Sequence, residues 1–272
     1  MIPKLLAFDL DGTLLTTDKT LTAANREALL DMSRSGATVA LASGRLGSSM
    51  MRYAMDLADI DIAMLTLNGA AVYAGRSDNG SPVYEAPLDA RYADELVGFA
   101  DGKDFAINYY IDDKLHTVHT DQSASWIDLY HQQTHTTYHY CDDLSCFAGR
   151  NPSKIIFVGD PRNLDALEQS FRARWDSELY IVRTWDYYLE FLNTRANKAN
   201  GIRALAKALG VEMSDVVAFG DADNDVPMLQ AAGLGIAMKN ASDDVKKRSH
   251  YVSAWTNDQD GVAREWERIK KL

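Results

Sequence analysis

Two carboxylates, Asp9 and Asp11, stand two residues apart in LLAFDLDGTLL, after an apolar run and just ahead of Gly12 and Thr13. Further groups able to do chemistry lie far along the chain: Ser43 and Gly44 in LASGR, Lys198 in NKANG, and Asp221, Asn224 and Asp225 in GDADND. Asn68, in LNGA, closes another apolar run. Carboxylates drawn together repel, and the least costly remedy is a bound divalent cation. Ligands that are all oxygen select a hard ion, and Mg2+ suits a site shared with phosphate. A hydroxyl with main-chain N–H groups at a strand-to-helix junction makes an anion cradle, and a lysine adds a mobile charge for phosphoryl oxygens. Together these parts describe phosphoryl transfer, in which a protein chiefly positions groups and neutralises charge. Taken singly, Asp11-Gly12 is an ordinary turn, Asp221 or Ser43 an ordinary cap and Lys198 a solvated lysine; the ordered combination carries the reading.

Such groups converge only if a scaffold brings four strand ends together. Residues 4–10, 37–43 and 61–69 are strand-length apolar runs, separated by helical periodicity over 22–36 and 45–58. Strands apolar on both faces and alternating with helices predict a parallel sheet covered on both sides, whose ligands gather beyond the carboxyl ends of the strands. From about residue 71 the pattern turns to hairpins, one around SDNG (77–80) and one from FAINYYIDD to LHTVHT, with helices at 89–101, 123–133 and 162–175 and strands at 153–159, LYIVRT and YYLEFLN. The βα rhythm returns with helix 197–210, strand 216–220, helix 224–233, strand 234–238 and a last helix over 260–272. The expected fold is α/β: a Rossmann-like parallel-sheet core, residues 1–84 and 191–272, with an inserted α+β cap over 85–190.

DLDGT (9–13), LASGR (41–45), NKANG (197–201) and GDADND (220–225), in this order, resemble the four motifs of the haloacid dehalogenase superfamily. The roughly 150 residues between the second and third resemble its Cof-like sugar-phosphate phosphatase branch, which carries a large α/β cap. The resemblance spans essentially the whole chain. It implies Asp9 as the nucleophile that forms an aspartyl-phosphate, Asp11 as general acid and then base, and Thr13 as the group orienting that pair. It implies Ser43, Gly44, Lys198 and Asn224 as phosphoryl ligands. Mg2+ would be held by Asp9, the main-chain carbonyl of Asp11 and Asp221, with Asp225 in support. One departure is visible: the lysine motif usually reads Lys-Gly, and here Ala199 follows Lys198. The implied activity is Mg2+-dependent hydrolysis of a small phosphorylated metabolite, under a cap hinged near 82–88 and 184–195. A phosphomutase would use the same aspartates, and a non-catalytic binding module could keep the fold.

Bulk properties agree. Acids exceed bases by 39 − 28 = 11, which argues against nucleic acid or an anionic membrane as partner. No apolar stretch approaches the ~20 residues that cross a bilayer. The N-terminus lacks a signal-peptide core, and two cysteines make no disulfide framework, so a reducing cytoplasm is expected. Five of the six histidines (116, 119, 131, 135, 139) precede Cys141 and Cys146. If THTTYHYC is a strand, His135, Thr137, His139 and Cys141 share a face, although Cys-x4-Cys fits zinc only loosely. The aromatics Tyr109, Tyr110, Trp185, Tyr187 and Tyr188 are expected to pack in the cap rather than form a sugar platform.

Overall fold

The structure, a computed structural model, describes residues 3–75, 81–100 and 103–271. The turn expected at 77–80 falls outside them. In chain order the elements are β1 (Leu5–Asp9), α1 (Ala23–Arg34), β2 (Thr38–Ala42), α2 (Gly47–Asp56), β3 (Ile62–Thr66), β4 (Ala71–Tyr73) and β5 (Tyr84–Glu85). Then come α3 (Ala90–Ala100), β6 (Phe105–Ile111), β7 (Lys114–Val118), α4 (Ala124–Thr134), β8 (Tyr138–Cys141), β9 (Lys154–Gly159), α5 (Pro161–Trp175), β10 (Leu179–Trp185) and β11 (Tyr188–Asn193). The chain finishes with α6 (Lys198–Leu209), β12 (Val216–Gly220), α7 (Val226–Ala231), β13 (Leu234–Ala237), α8 (Asp243–Lys247), β14 (Tyr251–Val252) and α9 (Gly261–Ile269). Two compact units result, one of residues up to Glu85 together with Asn197 onward, the other Ala86–Ala196.

The first unit is built on a sheet of order β14-β13-β12-β1-β2-β3-β4-β5, parallel from β14 to β3 and antiparallel at its β4–β5 edge. Alternation assigns its faces. Leu6, Phe8, Val39, Leu41, Val217 and Phe219 pack with Leu29, Met50 and Trp266 from α1, α2 and α9. Leu5, Ala7, Ala40, Ala42, Ala63 and Ala218 pack with Ile202, Leu205 and Leu229 from α6 and α7. Both faces are therefore apolar, as a parallel sheet requires, and the alanines of the second face let α6 approach closely. Successive strands run outward from β1 in one direction and from β12 in the other, so the strand order reverses between these two neighbours. A crevice at the carboxyl ends of strands forms at such a reversal.

The second unit is a six-stranded sheet of order β10-β11-β9-β6-β7-β8, antiparallel except for β7–β8. Phe105, Phe157 and Phe191 pack on Phe171 and Trp175 of α5. Tyr109, Tyr110 and Tyr188 are buried, whereas Trp185 is 58% exposed. β11 runs to Asn193 and pairs with β9 and β10 through Phe191, so the expected boundary at 190/191 cuts a strand and the division lies after Ala196. Two local expectations fail. His135 is the left-handed C-cap of α4, so only His139 and Cys141 of the supposed strand face lie in β8. The helix expected over 224–233 starts at Val226 with Pro227 in its first turn, preceded by a separate 3-10 turn over Asp223–Asp225. Among the described residues, no helix is long and apolar enough to cross a membrane.

Candidate functional site

Asp9 is the last residue of β1 and belongs to its odd-numbered set, with Leu5 and Ala7, which faces α6. The side chain it meets there is Lys198, the first helical residue of α6, entered through Asn197, whose side chain accepts the N–H of Asn200. Lys198 Nζ donates to Asp9 Oδ1 and to Asp225 Oδ1, both at 2.6 Å. Lys198 and Asp225 are 0% exposed and Asp9 only 7%. An ammonium at the positive end of a helix dipole is unfavourable; here two carboxylates compensate it. Burial alone would push the Lys198 ammonium down, but Asp225 and Asp9 hold it well above its usual value. Burial pushes the Asp9 carboxyl well up against the pull of Lys198, and Asp225 and Asp221 add to the rise.

β12 pairs with β1 in register Phe8↔Phe219, so the turn after Gly220 opens beside Asp9. Asp225 shapes that turn: its Oδ2 accepts the N–H groups of Asp221 and Ala222, both at 3.0 Å. Both oxygens of Asp225 are thus engaged by protein donors, which fits a supporting part rather than direct metal ligation. Thr13 Oγ1 donates to Asp221 Oδ1 at 2.7 Å, so this hydroxyl orients Asp221 and not the Asp9/Asp11 pair to which the sequence reading tied it. Burial lifts the Asp221 carboxyl to about 6, with Thr13 pulling it down and Asp225 pushing it up. Gly12 makes the approach possible. Its φ is +84°, and a Cβ there would sit 2.3 Å from Asp221 Oδ2.

Asp11 turns elsewhere. Its carboxylate accepts Arg45 Nε at 2.8 Å and Nη2 at 2.7 Å, a two-pronged pair, and Lys19 Nζ at 2.8 Å. Burial would raise this carboxyl, but Arg45 and Lys19 outweigh it and hold it at about 2. Neither cation was assigned a role from sequence. Arg45 stood inside LASGR as a visible signal; Lys19 carried none.

Ser43 follows Ala42, the β2 partner of Asp9, and is 2% exposed. Its N–H is given to Leu65 and its Oγ accepts the N–H of Arg45 at 3.3 Å. α2 begins only at Gly47, after Leu46, so Ser43 and Gly44 precede the helix instead of forming its N-terminus. Gly44 lies against Asn68, whose Oδ1 accepts Asn224 Nδ2 at 2.9 Å. Ala199 is accommodated in the first turn of α6. The close approach falls instead at Gly69, where φ is +85° and a Cβ would lie 2.6 Å from the Asn197 carbonyl oxygen.

Asp9, Asp221 and Asp225 each offer an oxygen within 4.8 Å of the others, alone among the described His, Cys, Asp and Glu groups. Among the described residues, the histidines and cysteines of the second unit therefore assemble no comparable donor set. Three carboxylates against the one ammonium of Lys198 leave two uncompensated negative charges when all are ionised. A divalent cation with a preference for oxygen fits that donor set.

The family model for haloacid dehalogenase-like hydrolases matches residues 6–265. The chain is 29% identical over 268 residues to the 5-amino-6-(5-phospho-D-ribitylamino)uracil phosphatase YitU of Bacillus subtilis, covering 96% of each. It is 30% identical over 270 residues to the pyridoxal phosphate phosphatase YbhA of Escherichia coli, covering 97% of each. The crystal structure of a haloacid dehalogenase-like hydrolase from Bacteroides thetaiotaomicron matches with TM-score 0.88 at 28% identity, covering 98% of this chain and 99% of that one. With acids and lysine meeting where β1 and β12 end, and the match running through every motif, this chain belongs to the haloacid dehalogenase-like hydrolases.

Proposed function

We propose that the protein hydrolyses phosphomonoesters of small phosphorylated metabolites, sugar phosphates among them, through an aspartyl-phosphate on Asp9. The observation that carries this reading is the meeting of Asp9, Lys198, Asp221 and Asp225 at the carboxyl ends of adjacent strands. Mg2+, held by Asp9, the Asp11 carbonyl and Asp221, would supply the positive charge that neutralises phosphoryl oxygens. Lys198 keeps Asp9 oriented through Oδ1 and remains cationic, and together with a bound cation it would offset the burial that raises Asp9, leaving the carboxylate as a nucleophile in a water-poor setting. Ser43, the Gly44 N–H and Asn224 are assigned to the phosphoryl oxygens. As found, Asp11 is ionised and suited to accept a proton from water in the second step. To donate one to a leaving alkoxide, it must exchange Arg45 and Lys19 for the substrate oxygen.

The relatives named for a ribitylaminouracil phosphate and for pyridoxal phosphate match at 29% and 30% identity, so identity does not choose the ester. The test is phosphate release over a metabolite panel with Mg2+ and with EDTA, alongside Asp9→Asn. Release that needs Mg2+ and falls at least about 10³-fold in the variant is expected. Release unchanged by Asp9→Asn would overturn the assignment, and no release from any ester would favour a binding module.

A further inference from the structure

The histidines and cysteines of the second unit remain outside this chemistry, and three of them meet. β7 and β8 pair in parallel register, His116↔His139 and Val118↔Cys141, which places His116, His139 and Cys141 on one face. His116 Nδ1 lies 3.6 Å from Cys141 Sγ. After β8 the chain turns at Asp143, whose side chain caps a 3-10 turn over Leu144–Phe147. That turn folds back over the strands: the Phe147 ring stands 4.7 Å from the His116 ring and 5.1 Å from Tyr109. Cys146, one residue earlier, is thereby brought back toward Cys141, near enough to push its thiol up. Both are free thiols; Cys146 is exposed and Cys141 half-buried.

We propose that Cys141 and Cys146 form a reversible dithiol–disulfide modification site, oxidised by exchange with a low-molecular-weight disulfide such as glutathione disulfide. The exposed Cys146 reacts first: its thiolate attacks one sulfur of glutathione disulfide, the S–S bond breaks, and one glutathione leaves as thiolate. Cys141 then attacks the Cys146 sulfur of the mixed disulfide, releasing the second glutathione. In sum two protein thiols are oxidised to one cystine, one glutathione disulfide is reduced to two glutathiones, and the two thiol protons end on the released thiolates. His116 fits the proton acceptor for the second step. Burial, then His139 and Lys114, pull its imidazole down, so it is neutral near pH 7, while burial and Cys146 push the Cys141 thiol up, so that thiol needs a base. The bond would also tie the segment 142–145, one wall of a cavity of about 480 Å³ floored by Phe105, Ile107 and Val118.

The experiment equilibrates the whole reduced chain with glutathione disulfide under non-denaturing conditions, alkylates the remaining thiols and weighs the protein and its peptides. The expected product is the chain lighter by two hydrogens, with Cys141 linked to Cys146 and two glutathiones released per chain. Cys141→Ser should stop at a glutathione adduct on Cys146. His116→Gln should slow the second exchange several-fold near pH 7 and leave the first unchanged. Stable glutathione adducts on the wild-type chain, a disulfide between chains, or two thiols still free would overturn the proposal, and these readouts on unsubstituted protein do not depend on any variant folding or on catalysis.

Discussion

Removing the ammonium of Lys198 without its stem tests whether the buried acid cluster is organised as described. Lys198→Met fills nearly the same space but leaves Asp9 and Asp225, 7% and 0% exposed, without the cation they share at 2.6 Å. Breaking one partner out of a buried pair typically costs about 3–5 kcal/mol. The chain can limit that cost by taking up one proton, on whichever of the two carboxylates is easier to neutralise. Neutralising a carboxyl of ordinary pKa costs about 4 kcal/mol at pH 7 and about 1.5 kcal/mol at pH 5. The sign follows: the folded variant holds a proton that the unfolded chain has released, so its stability falls with rising pH, by about 1.4 kcal/mol per unit relative to wild type. Urea unfolding of both proteins at pH 5 and pH 7, in EDTA, measures the difference. A loss below about 1 kcal/mol at pH 7, or one that does not change between the two pH values, would refute the reasoning, because either implies that Lys198 does not neutralise desolvated acid.

Three further outcomes follow from the same geometry. Asp221, lifted to about 6, holds a proton in the folded chain that the unfolded chain loses above about pH 4; in EDTA the melting temperature should therefore fall as pH rises from about 4 to 6. Asp221 accounts for up to about 3 kcal/mol of this fall, and Mg2+ at 100 times its Kd should restore about 2.7 kcal/mol. Gly12→Ala forces a Cβ to within 2.3 Å of Asp221 Oδ2 at a φ of +84°. It should leave the circular dichroism spectrum intact, cost about 1–3 kcal/mol and weaken the Mg2+ dependence of melting. In Arg45→Gln the Asp11 carboxyl, now at about 2, should titrate closer to its ordinary value, as read by carboxyl-carbon NMR; an unchanged value would mean Lys19 alone holds it.

The parts legible in the sequence are those whose signal is local. The β1–α1–β2–α2–β3 rhythm follows from a switch of apolar period, and Asp9 and Lys198 could be matched because each opens or closes such a segment. What escaped depends on partners far apart. Asp11 is separated from Arg45 by 34 positions, and no spacing rule says that its carboxylate pairs with a guanidinium instead of joining Asp9, Asp221 and Asp225. Thr13 reaches Asp221 across 208 positions, which redirected its expected role. The boundary error at 190/191 has a different origin: YLEFLN is a run that reads equally well as a parallel core strand, and only its pairing with β9 and β10 assigns it to the second unit. α8 was overlooked although its signals are present: Ser242 accepts the N–H of Val245, acids fill the first turn and lysines the last.

Lys198 also bears on how the site should be distinguished from an inherited fold. A buried ammonium at the positive end of α6 and three carboxylates crowded beyond β1 and β12 are each unfavourable for folding, and they offset one another only in part, because two negative charges remain. A chain selected for stability alone could relieve this by losing one acid, as a non-catalytic module would be free to do. Retention of the surplus charge makes sense if a divalent cation completes the cluster during the protein's working state. On that reading the resting chain would carry a stability deficit at neutral pH that Mg2+ would remove. The dependence of unfolding on Mg2+ and pH consequently separates a charge cluster kept for a cation from one that merely persists, and it does so before any substrate is known.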